Sequence, residues 1–91
     1  GNPGFFRKTV QHLGFRICGE KNFPDHYFYT KNDILELETK AKKAGASHIL
    51  TTEKDWLKIK ELSPKFSFGI IDIKIRVLNE KRLLKLLNLQ N

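Results

Sequence analysis

Apolar residues recur at helical spacing in four stretches of the chain and at strand spacing in three, with glycine or proline between most of them. Phe6, Val10 and Leu13 stand at i, i+4 and i+7, which predicts a first helix capped by Asn2, with Pro3 at its first position and Gly14 as its stop. Residues 15–19 read as a short strand. Residues 20–29 have no period and carry four aromatics and a proline, a long connection for so short a chain. Thr30 with Asp33 forms a capping box for a second helix, whose buried stripe is Ile34, Leu37, Ala41 and Ala44 up to Gly45. His48 to Thr51 reads as a buried strand, and Thr52 with Asp55 repeats the capping pattern to open a third helix through Trp56, Ile59 and Leu62, stopped before Pro64. A longer strand, Phe66 to Val77, changes the parity of its apolar residues at Gly69, which predicts a bulge or a change of buried face. Asn79 caps a last helix with Leu83, Leu84, Leu86 and Leu87 inward. The order α-β-α-β-α-β-α predicts one α/β domain over residues 1–91. It is a small three-layer α/β/α arrangement around a mainly parallel three-stranded sheet with right-handed crossovers.

That topology has a functional consequence. Helices run antiparallel to the strands, so each begins near the carboxyl edge of the sheet, where α/β folds bind ligands. Three chemically dense segments fall there: Gly1-Asn2-Pro3, the run Phe23-Pro24-Asp25-His26-Tyr27-Phe28-Tyr29, and Thr51-Thr52-Glu53-Lys54-Asp55. Free backbone N–H groups at helix starts make anion or phosphate contact reasonable at this edge. His26 is the sharpest candidate, because imidazole titrates near neutrality and the adjacent Asp25 can orient it or raise its pKa. The same residues also read as a surface turn anchored by aromatic rings. In the third segment, capping accounts for Thr52 and Asp55 and the helix dipole for Glu53, leaving Lys54 without a structural role. His12, on a helix, and His48, at a strand start, are assigned to structure, and Cys18 reads as a small buried hydrophobe.

Composition narrows the possibilities. Ninety-one residues hold one core and exclude a complete two-domain enzyme. One cysteine excludes an internal disulfide and the paired-ligand spacings of zinc fingers, so no metal site is expected and a reducing compartment is the simplest setting. No apolar run approaches 18 residues and no leader pattern opens the chain, so it is expected to be soluble and not exported. The start at Gly1 and the absence of Met suggest an excised domain. The net charge of +7 is spread along the chain. It suits phosphates, nucleic acid or an anionic membrane, and it equally suits the solvated faces of lysine-rich helices. The leucine-rich, basic last helix likewise reads as a core-facing helix in preference to one lying on a membrane. No phosphate-binding G-x-x-x-x-G-K-[ST] loop, dinucleotide G-x-G-x-x-G turn or G-x-S-x-G elbow occurs in the sequence, so any chemistry requires groups from elsewhere.

Taken in order, Gly1-Asn2-Pro3 with Phe5-Phe6, Phe23-Pro24-Asp25-His26 with Tyr29-Thr30, and Thr51-Thr52-Glu53-Lys54-Asp55 resemble the C-terminal part of the tetraacyldisaccharide 4'-kinase family. The resemblance spans essentially the whole chain. It implies a two-domain, P-loop-type kinase that uses ATP and Mg²⁺ to phosphorylate the 4'-hydroxyl of the lipid A disaccharide precursor at the cytoplasmic face of the bacterial inner membrane. The P-loop, the metal-binding acids and the membrane-associating segment would belong to the N-terminal domain, the partner of this one, and this chain alone would be inactive. His26 would inherit the role of a histidine that supports an aspartate of the P-loop domain in activating the sugar hydroxyl, with Asp25 supporting it. Asn2, Tyr29, Thr52 and Lys54 would face substrate or phosphate. Gly4 departs from the acidic residue common after Asn-Pro in such kinases. The competing expectation is a small basic α/β module that binds nucleic acid or protein without catalysis. Its support is charge alone, since no nucleic-acid signature is present and none is expected to bind if the kinase reading holds.

Overall fold

The computed structural model describes residues 3–72. Three helices and two strands follow in the order α1 (Pro3–His12), α2 (Lys31–Lys43), β1 (Ile49–Thr51), α3 (Glu53–Ile59) and β2 (Phe68–Ile70), with one 3₁₀ turn, Lys60–Leu62, continuing α3. The strands pair in parallel, Ile49 opposite Phe68, Leu50 opposite Gly69 and Thr51 opposite Ile70. α3 is therefore the crossover of a βαβ unit. Backbone bonds from Ile49 N–H to Ser67 C=O (2.9 Å) and from Ile71 N–H to Thr51 C=O (2.8 Å) extend the ladder at both ends.

The expected terminators act as read. Gly14 and Gly45 have φ of 94° and 72°, left-handed values that a side chain rarely tolerates. At α1 the N–H of Gly14 reaches Gln11 C=O (3.0 Å) and that of Phe15 reaches Val10 C=O (3.3 Å). At α2 Gly45 reaches Lys42 (3.1 Å) and Ala46 reaches Ala41 (2.9 Å), so both helices close in the same double-bonded motif. Thr30 and Asp33 complete the capping box at the start of α2. The Thr52 side chain caps α3 by accepting from Asp55 N–H.

Each helix supplies one almost wholly buried apolar residue, Val10, Ile34 and Ile59. Removing a side chain of this size from water contributes about 1.5–3 kcal/mol. Glu38 is also buried, on the same α2 stripe as Ile34. Its Oε2 accepts from the backbone N–H groups of Lys65 (2.8 Å) and Phe66 (2.5 Å), which pins the segment entering β2 to α2.

The α/β class and the parallel sheet agree with expectation, but the sheet has two strands among the described residues, not three. Residues 15–19 are coil without a ladder. Their alternation half-buries only Ile17, while Phe15 and Cys18 are exposed, too little apolar burial to offset ordering a strand. Cys18 is thus an exposed thiol and not the buried hydrophobe expected. Gly69 sits in register with no bulge, and its missing side chain makes room for Leu50, whose Cδ2 would lie 2.8 Å from an added Cβ. Leu13 and Ala44, read as buried, face solvent at their helix ends. The expected last helix and the strand beyond Asp72 lie outside the described residues.

Candidate functional site

The chemistry-bearing loop is built from rings. Phe23, Tyr27 and Tyr29 form a mutual cluster, with centroids 4.9 Å apart for Phe23 with each tyrosine and 5.3 Å for the tyrosine pair. Edge-on and tilted aromatic contacts of this kind add about 0.5–1.5 kcal/mol each beyond area burial. The cluster closes the base of a turn whose tip, Pro24-Asp25-His26, is exposed. His26 adopts φ of 62°, one of two non-glycine residues among those described with a left-handed backbone. Such a conformation in a non-glycine residue persists only where surrounding contacts hold it. Phe28 points the other way, 89% exposed.

Both tyrosines end on helix-capping carboxylates. The Tyr27 hydroxyl donates to Asp33 Oδ2 at 3.0 Å, and the same oxygen accepts the Thr30 N–H at 2.9 Å. The hydrogen bond to Asp33 raises the Tyr27 phenol above its ordinary value, because ionising it would set two negative charges together. The bond from the Thr30 backbone, with that from Tyr27, lowers Asp33. Tyr29 is pushed up to about 12, first by burial and then by the charge and hydrogen bond of Asp55. Asp55 in turn is held in the α3 cap, where Thr52 Oγ1 lies 3.2 Å from its Oδ2.

These contacts bring together two of the three expected segments at the carboxyl end of β1. The tie between the loop and the start of α3 is Tyr29 with Asp55. Lys54 is exposed in the first turn of α3, where the helix dipole disfavours a cation. Thr52 spends its hydroxyl on the cap. Tyr29 packs within the aromatic cluster. Asn2 lies outside the described residues. His48, assigned to structure, holds Ser67 through Nδ1 at 2.8 Å. Sequence reasoning gave Asp33 and Asp55 capping roles only and missed that both also hold phenols. The signal was present in the tyrosines spaced either side of Phe28, one turn before a capped helix. A cavity of about 210 Å³ opens on the α2 side of the loop, lined by Lys21, Phe23, Tyr27, Asp33, Glu36 and Lys40 among others. Among the described residues no group of three or more His, Cys, Asp or Glu is arranged to hold a metal ion.

A parallel strand pair joined across α3 places the chain in the α/β class, in which ligands commonly meet the sheet at the carboxyl ends of its strands. The chain is a member of the Tetraacyldisaccharide-1-P 4'-kinase family, whose model matches residues 1–90. Among curated relatives, the tetraacyldisaccharide 4'-kinase of Rickettsia canadensis (strain McKiel) is 36% identical over 84 residues, 89% of this chain and 26% of the relative. That of Rickettsia bellii (strain OSU 85-389) is 38% identical over 79 residues, covering 87% and 24%. That of Syntrophus aciditrophicus (strain SB) reaches 44% over 59 residues, 65% of this chain and 16% of the relative. The chain therefore spans about a quarter or less of the length of these relatives. No solved structure matches it significantly.

Proposed function

We propose that residues 1–91 form the C-terminal, non-P-loop domain of a kinase that transfers the γ-phosphate of ATP to the 4'-hydroxyl of the lipid A disaccharide precursor. The observation that carries the reading is the family match over residues 1–90, and the tie of Tyr29, in the loop that holds Asp25 and His26, to Asp55 at the start of α3 supports it. Phosphoryl transfer asks a protein to position groups, stabilise spreading negative charge and orient the attacking hydroxyl. His26 supports an aspartate of the P-loop domain in activating the acceptor hydroxyl. Asp25, the neighbour of His26 in the turn, supports the imidazole with its carboxylate. Lys54 supplies a cation toward the phosphate. Asn2, Tyr29 and Thr52 line this side of the cleft, Thr52 and Tyr29 chiefly by shaping it.

ATP and Mg²⁺ belong to the P-loop domain in this reading, and no step of the present residues runs through the metal. No helix among the described residues is long and apolar enough to cross a membrane; contact with the cytoplasmic side of the inner membrane is a property we assign to the full-length protein. The test is transfer of labelled phosphate from ATP to the disaccharide. The full-length protein should perform it and the 91-residue chain alone should not. Transfer by the isolated chain would overturn the division of labour, and an inactive full-length protein that binds duplex DNA with a steep salt dependence would favour the basic-module reading.

A further inference from the structure

We propose that the Tyr27 phenol and the Asp33 carboxylate form a latch that fixes the His26 turn, making both positioning residues of the phosphoryl-transfer site; the inference rests on the kinase reading of His26. The turn needs such a device. Its tip is exposed at Pro24, Asp25 and His26, and His26 holds a left-handed backbone that no glycine relieves. Below the tip, the Phe23 and Tyr27 rings meet at 4.9 Å and close the loop. A ring contact alone leaves the closed loop free to slide on its neighbours, whereas the hydrogen bond from Tyr27 to Asp33 gives it a fixed point.

Asp33 is well suited to be that point. Its Oδ2 accepts both the Tyr27 hydroxyl and the Thr30 N–H, and its own N–H donates to Thr30 Oγ1 at 3.1 Å. The carboxylate is thus locked at the third position of α2, whose next residue, Ile34, is buried in the core. The position of His26 is in this way referred to a packed helix through two side chains, Tyr27 and Asp33. Tyr29, which touches Tyr27 at 5.3 Å and faces Asp55, ties the other flank to α3. Besides closing the start of α2, the capping box therefore orients the acceptor of the latch. Displacing a reacting group by about 1 Å can cost as much as 100-fold in rate, so loosening the latch should be visible in turnover.

Tyr27→Phe separates the latch from packing, since it keeps the ring and removes only the hydroxyl. In the full-length protein it should lower kcat roughly tenfold while KM for ATP stays within about twofold, the signature of a misplaced catalytic group. Asp33→Asn, which retains a capping residue, should move kcat in the same direction. Glu38→Gln, which loosens the β2 anchor, should leave kcat unchanged and so report what general destabilisation does. In a His26→Ala background, Tyr27→Phe should have almost no further effect, because there is no imidazole left to position. The latch is overturned if His26→Ala is crippled while Tyr27→Phe turns over like wild type. It is also overturned if Tyr27→Phe lowers kcat by the same factor with and without His26. Full activity in His26→Ala would instead remove the kinase role of His26, and the latch as a catalytic device with it.

Discussion

Replacing Glu38 by alanine is the sharpest perturbation the fold offers. The carboxylate is only 8% exposed and accepts from two backbone donors 27 and 28 residues away, Lys65 N–H and Phe66 N–H. Alanine orphans both. Hydrogen bonds to a charged group contribute about 1.5–3 kcal/mol each, and a donor left buried without a partner costs about 1–3 kcal/mol. Lys65 is exposed and can be rehydrated whereas Phe66 is half-buried, so the two losses are unequal. Their sum comes to about 2–4 kcal/mol, large for a point substitution. Glu38→Gln keeps an acceptor oxygen and loses the charge, and should cost about 1 kcal/mol. The assay is urea unfolding followed by fluorescence of Trp56, the chain's one tryptophan, whose ring lies 5.4 Å from that of Phe68 in β2. Because Glu38 holds the segment that leads into β2, the emission should report its release directly. An alanine variant within about 0.5 kcal/mol of wild type, the range of ordinary surface changes, would refute the reasoning. So would equal losses for alanine and glutamine.

Two further outcomes follow from the loop and the helix ends. Both tyrosines are raised, Tyr29 to about 12 and Tyr27 by its bond to Asp33. Their absorbance change at 295 nm should therefore lie above the value of about 10 seen in denaturant. The unfolded phenol releases its proton first, so this stabilisation is whole below about pH 10 and is lost as pH rises towards the native value. Solvent around the half-buried Tyr29 trims its size. A native titration centred at the denatured value would contradict the phenol–carboxylate contacts. Gly45→Ala, at φ of 72° with no neighbour within 4 Å of the added Cβ, tests backbone conformation without a clash. It should destabilise by about 1 kcal/mol in the same urea assay, and a neutral result would contradict the left-handed terminus.

Local chemistry was the legible part of this sequence. Thr30 with Asp33, Thr52 with Asp55, Gly14 and Gly45 each act through atoms a few residues apart, so their spacing alone marks the helix boundaries. The parallel pairing across α3 was legible for a related reason, since a short crossover leaves the two strands few alternatives. What depends on distant partners was not. The alternation of residues 15–19 is a necessary condition for a strand, but it cannot supply the neighbour that would pair with it. Glu38 has no place in the stripe read from apolar residues alone, although it stands four residues after Ile34 and is buried with it. The donors it accepts from, Lys65 and Phe66 N–H, lie 27 and 28 residues further on, where no local spacing points back to Glu38. At the site, the aromatic loop was expected at the sheet edge as the continuation of a first strand, and with no strand at residues 15–19 its tie to the start of α3 comes instead from Tyr29 and Asp55. The shared use of Asp33 and Asp55 as cap and phenol acceptor did not follow, because a capping box already accounts for those residues.

The central claim is that His26 takes part in phosphoryl transfer from an exposed, conformationally fixed turn. It is tested most directly by steady-state kinetics of the full-length protein with ATP and the lipid A disaccharide precursor, comparing wild type, His26→Ala and His48→Ala. His48 is the control because its imidazole holds Ser67 at the start of β2. The account predicts a loss of about 100-fold or more in kcat for His26→Ala with the protein still folded, and near-normal turnover for His48→Ala. Wild-type turnover in a folded His26→Ala protein would contradict it.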